Sequence, residues 1–125
     1  MMSSDNFADR REFFRVAAAA DEPVRVYFRL SGDLRQVFLA RVDTISVGGI
    51  GIVLNLFETP GLPTGVGSGV LLLPGLGRVS FSGQIEWNNG ARLGLRFVEI
   101  SEKDKSLIFR YVVKREREAA QVKER

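Results

Sequence analysis

The stretch Asp43-Thr44-Ile45-Ser46-Val47-Gly48-Gly49-Ile50-Gly51 leaves one strand-like segment, passes a hydroxyl and two glycines, and enters another strand-like segment. A dinucleotide-binding glycine loop must connect a strand to a helix. Here Ile50 to Phe57 follows, apolar on both faces of an extended chain, and reads as a central strand. The doubly wound nucleotide folds are thereby excluded. What remains is a tight β-to-β turn in which glycine supplies a positive φ. Its N–H groups and the Ser46 hydroxyl form a short-range anion cradle.

Working outward, the neighbouring segments repeat the β pattern. In the run opened by Pro23, Val24, Val26, Phe28 and Leu30 alternate with Arg25, Tyr27, Arg29 and Ser31, the period of a half-buried strand. Gly32-Asp33 marks a turn, and Leu34 to Asp43 is the returning strand of a hairpin. Glu58 to Gly69, with two prolines and four glycines, reads as a loop before a short strand at Val70 to Leu73. Arg78 to Asn88 alternates again, with Val79, Phe81, Ile85 and Trp87 on one side. Asn89-Gly90 is a strong hairpin signal, and Ala91 to Val98 is the return. Six strands joined by short turns predict an all-β fold, a six-stranded antiparallel barrel. One helix is expected after Ser101, an N-cap followed by acidic Glu102 and Asp104, with Leu107, Ile108, Tyr111 and Val112 as its apolar face.

Composition narrows the function. The 125 residues suffice for one domain with a real core, and 45% hydrophobic with 26% charged residues is ordinary for a globular protein. There is no cysteine and no histidine, which removes thiolate nucleophiles, the Ser-His-Asp triad and zinc–histidine chemistry. No catalytic pairing of carboxylates emerges, and no cofactor is implied. Met1 to Asn6 lacks a basic-then-apolar leader, and no apolar run reaches the ~18 residues of a membrane helix. The expectation is a cytoplasmic chain without a membrane partner. Residues 1–9 read as a flexible N-terminus, 10–113 as the folded domain, and 114–125 as a charged helical tail. The net charge of +3 matters less than its placement, with arginines gathered at Arg10, Arg11 and Arg15 and basic residues again after Lys114.

Arginine's planar fork matches both phosphate oxygens and the O6/N7 edge of guanine. The spacing Arg11-x-x-x-Arg15, followed by Thr44-x-Ser46-x-x-Gly49, resembles the PilZ family, whose hallmark is RxxxR followed by (D/N)xSxxG. The alternating run from Val79, the strand Leu93-Gly94-Leu95-Arg96-Phe97 and the closing helix stand in that family's order, so the resemblance spans roughly residues 9 to 112. It implies a cyclic di-GMP receptor. The residues carried over are Arg10, Arg11, Arg15, Asp43, Thr44, Ser46, Gly48 and Gly49, with Trp87 as a further candidate. One position departs. Aligned on Ser46, the acidic or amide position holds Thr44, and Asp43 lies one residue earlier.

The resemblance also implies a mechanism in which the arginine segment, anchored by Phe13 and Phe14, wraps the ligand and presents a new surface to a downstream protein partner. An additional guanidinium at Arg10 points to an intercalated ligand dimer, two nucleotides per chain. Trp87 has two readings, a core aromatic or a rim residue stacking on guanine. Two other functions stay open: a small basic barrel binding single-stranded nucleic acid, and a PilZ-like interaction domain without ligand. Basic residues clustered at the termini argue against the former.

Overall fold

A computed structural model describes residues 15–30, 37–53, 66–88 and 91–124. Its strands are β1 (Val16–Ala17), β2 (Val24–Leu30), β3 (Phe38–Ile45), β4 (Gly49–Val53), β5 (Val66–Leu73), β6 (Gly77–Asn88) and β7 (Arg92–Ile100), followed by helix α1 (Glu102–Glu124). Every pairing is antiparallel, in the order β3-β2-β5-β6-β7-β4, and β4 pairs back onto β3. The six strands therefore close into a barrel in which each of them pairs with a strand on either side. The expected architecture is observed.

The inward residues of the alternating strands fill the interior. Val24, Val26 and Phe28 of β2, Val42 and Ile45 of β3, Ile50 and Ile52 of β4, and Leu93 and Leu95 of β7 are all buried. Each such side chain stabilises the fold by about 1.5–3 kcal/mol relative to exposure. The central position expected for the strand after Gly49 holds: both faces of β4 are covered, and it lies between β3 and β7. Helix α1 begins as its cap predicts, the Asp104 amide donating to Ser101 Oγ at 3.1 Å. Ile108, Tyr111 and Val112 bury against the barrel.

Three departures have physical reasons. Strand β1 is a seventh strand, laid antiparallel on β3 through Val16–Ile45 and Ala17–Thr44, and two residues are too few for any period to reveal. Strand β5 starts at Val66 rather than Val70, so Gly67, Ser68 and Gly69 are strand and not loop. A side chain at Gly69 would collide with the Phe81 and Phe28 side chains and the Tyr27 carbonyl, so glycine here makes room for core aromatics. Third, the turn at Gly48-Gly49 uses no positive φ; among the described residues only Gly75 and Gly77 adopt one. Gly49 is small for another reason: a Cβ there would strike the Leu95 carbonyl oxygen on β7.

Candidate functional site

The site begins with a turn that organises itself. Ser46 is 1% exposed, and its Oγ accepts from the amides of Gly48 at 3.2 Å and Gly49 at 3.1 Å. The same hydroxyl donates to the Gly49 carbonyl at 3.2 Å, and the Ser46 amide donates to that carbonyl at 2.9 Å. The expected anion cradle is thus turned inward: both amides are occupied by the serine beside them. Gly48 is locked to β7 through its carbonyl, which accepts from the Phe97 amide at 2.8 Å.

Arg15 directly precedes β1, and the pairing of Val16 with Ile45 brings it alongside Ser46. It is exposed and lines a cleft of about 500 Å³ with Ser46, Gly48, Glu86, Arg96 and Lys105. Two contacts from α1 steady this entry segment. Arg115 Nε donates to the Ala17 carbonyl at 2.8 Å, and the Ala19 amide donates to the Tyr111 hydroxyl at 3.2 Å. Arg10 and Arg11 lie outside the described residues, as do Phe13 and Phe14.

Two bulges shape the rest. On β3 the register skips between Val42 and Thr44, so Asp43 is an extra residue against β4. In consequence Asp43 Oδ1 and Thr44 Oγ1 crowd the same outer side of Gly51, where a Cβ would meet both. The side chains of Asp43 and Thr44, adjacent in sequence, thus lie against the same residue of β4. On β6 the register skips between Ile85 and Trp87. Ile85 stays inside at 4% exposure, whereas Trp87 emerges at 38% and lies across Gly94, whose Cβ would meet the indole ring. Trp87 is a rim residue. The alternation that grouped it with Val79, Phe81 and Ile85 fails at the bulge.

Arg92, not singled out from sequence, joins these groups. Its Nη2 is 2.6 Å from Asp43 Oδ2, and its guanidinium carbon is 5.7 Å from the Trp87 ring centroid. The second carboxylate oxygen, Asp43 Oδ1, is buried and accepts no hydrogen bond among the described residues. Four residues along β7, Arg96 Nε is 2.8 Å from Glu86 Oε1, and Nη2 donates to Gln84 Oε1 at 3.1 Å. Alternate residues of a strand share a face, so Arg92, Gly94 and Arg96 form one outward stripe about 13 Å long. Gly49 and Gly51 of β4 pair with Arg96 and Gly94 beside it. The signal for Arg92 and Arg96 was that period-two spacing around a glycine.

The surface is thus a narrow floor of bare glycine backbone with guanidinium groups at both ends, an indole over the middle and a carboxylate at one side. It suits a flat, polyanionic ligand with hydrogen-bond donors on a ring edge. Among the described residues no cluster of acidic side chains could hold a metal ion, and no helix is long and apolar enough to cross a membrane.

The family model described as the PilZ domain matches residues 9–114. The flagellar brake protein YcgR 2 of Dechloromonas aromatica (strain RCB) is 33% identical over 126 aligned residues, covering 87% of this chain and 48% of that protein. The chain therefore spans about half the length of this relative. Among solved structures, the PilZ domain with c-di-GMP of YcgR from Escherichia coli superposes with a TM-score of 0.68 at 20% identity, covering 93% of this chain and 98% of that one. The Bacillus subtilis inhibitor of motility MotI/DgrA gives 0.66 at 19% identity, over 86% of this chain and 51% of that one. At these identities the two structures speak for the fold.

Proposed function

The chain belongs to the PilZ domain family, and on that premise we propose that it is a cyclic di-GMP receptor that signals to a protein partner rather than an enzyme. The observation that carries this reading is the orphaned Asp43 Oδ1 beside the Arg92–Trp87 pair, at one end of the glycine floor. A guanine offers N1–H and N2–H₂ to a carboxylate, a face to an indole, and O6/N7 to a guanidinium. In this reading the guanine takes Asp43 from Arg92, which swings to stack on the base or clamp a phosphate. Thr44 supplies a hydroxyl beside it.

At the other end, Arg15 and Arg96 meet the phosphates, with Arg10 and Arg11 closing over them. Ser46, Gly48 and Gly49 act through the shape of the turn. Charge-assisted bonds contribute roughly 1.5–3 kcal/mol each. Three or four of them, less the cost of ordering the arginine segment, correspond to micromolar binding. The additional guanidinium at Arg10 fits an intercalated dimer, two nucleotides per chain. Wrapping of the segment before β1 alters the surface near α1, through Arg115 and Tyr111, and that change is what a partner reads.

The test is a binding titration of Arg15→Ala against the unsubstituted chain. Loss of detectable cyclic di-GMP binding with an unchanged circular-dichroism spectrum is expected. Full affinity in the variant would remove Arg15 from the site.

A further inference from the structure

A second surface lies on the opposite side of β3 from the nucleotide site. The outward residues of β2 are Arg25, Tyr27 and Arg29, and the register sets Arg25 against Arg41 and Tyr27 against Leu39 of β3. On the other flank Arg25 faces Leu72 and Tyr27 faces Val70 of β5, and Leu72 in turn faces Arg78 of β6. The result is an apolar centre enclosed by arginines. Tyr27 is 41% exposed and Leu39 51%, and the four arginines are exposed. With strands about 4.8 Å apart, Arg41 and Arg78 stand roughly 14 Å from one another across the sheet.

Two features mark this face as built for a partner. Like charges directly opposite one another on paired strands are destabilising, and Arg25 faces Arg41. The fold carries that cost without compensation: among the described residues, none of the four arginines is in an ion pair. The strand positions that form the face hold no acidic residue. Arginine and tyrosine around exposed aliphatic side chains are also the composition of protein–protein contact centres.

We propose that this face docks an acidic protein segment, in which carboxylates flank one or two apolar side chains that cover Tyr27 and Leu39. Charge complementarity selects the occupant. Single-stranded nucleic acid fits less well, because it requires several stacking aromatics and this face offers Tyr27 alone amid aliphatic neighbours. The proposal does not depend on cyclic di-GMP being the ligand of the other site.

The test selects a random linear-peptide display library on the full chain and titrates the recovered peptides, with oligothymidylate and phosphatidylserine vesicles in parallel. Recovered peptides should carry Asp or Glu on both sides of an apolar residue. Their affinity should fall at least about tenfold in Arg25→Glu/Arg41→Glu, while cyclic di-GMP titrates as before. Arg25→Glu alone should weaken peptide binding as well and should hold or raise the melting temperature, because it puts opposite charges across the strand pair, so lost binding in that variant cannot be lost folding. Peptides without acidic enrichment, peptides that bind the double variant as tightly as the original chain, or tighter engagement of the oligonucleotide or the vesicles through these arginines would each overturn the proposal.

Discussion

Arg92 and Asp43 form a salt bridge of 2.6 Å across β4, although they come from strands that do not pair with each other. Both are partly exposed, with side-chain exposures of 41% and 30%. Exposed pairs of this kind contribute about 0–1 kcal/mol, so the bridge is a poor stabiliser. In the proposed function its role is to hold two ligand-type groups beside Trp87, ready to exchange partners.

Asp43→Ala should therefore weaken cyclic di-GMP binding about tenfold or more and leave thermal stability nearly unchanged. Thr44→Asp, which restores the acid at the hallmark position, should add little, since the bulge already places Asp43 over Gly51. Calorimetric titration of both variants checks this. A large gain in Thr44→Asp with no loss in Asp43→Ala would assign the acceptor role to position 44.

The glycines divide into two kinds. Gly94→Ala drives a methyl group into the Trp87 indole, which is at the surface and able to move, so the fold should survive while binding and tryptophan fluorescence change. Gly49→Ala drives one into the Leu95 carbonyl, a backbone atom that cannot yield locally. It should cost about 1–3 kcal/mol, read by urea unfolding.

Ser46→Ala removes an acceptor from two amides and a donor from a carbonyl in a buried turn. Unsatisfied buried groups cost about 1–3 kcal/mol, so the melting temperature should fall. Binding should drop with it. Addition of ligand should recover part of the lost stability, whereas a Ser46 that contacts the nucleotide directly would leave binding lost in a fully stable protein.

Arg115→Ala should weaken nucleotide binding a few-fold without touching the site, because it releases the Ala17 carbonyl two residues after Arg15. The stability cost should be about 0.5–1.5 kcal/mol. A chain truncated after Val113 should behave like Arg115→Ala; unchanged binding in both would show that the helix does not support Arg15.

The barrel was legible because its signals are local. Val24 to Leu30 alternates on its own, β6 and β7 pair antiparallel as their two runs predict, and Ser101 with Asp104 caps its helix; Asn89-Gly90 itself lies outside the described residues. The site was legible only as a set of residue types. Whether Asp43 and Thr44 share a side, and whether Trp87 points in or out, depends on register skips between paired strands, which a period read along one strand does not contain. Strand β1 and the glycine-rich start of β5 exist through their partners in the same way. Arg92 escaped notice because it follows a turn signal and looks like a solvated charge until Asp43 and Trp87 are placed beside it.

The most direct measurement is calorimetry of the intact chain with cyclic di-GMP, with GMP run in parallel. Saturable binding at micromolar concentration or tighter, approaching two nucleotides per chain, is expected, with no saturation by GMP in the same range. Absence of saturable binding of cyclic di-GMP up to about 1 mM, where less than about 4 kcal/mol of binding free energy would remain, or equal binding of GMP, would contradict it.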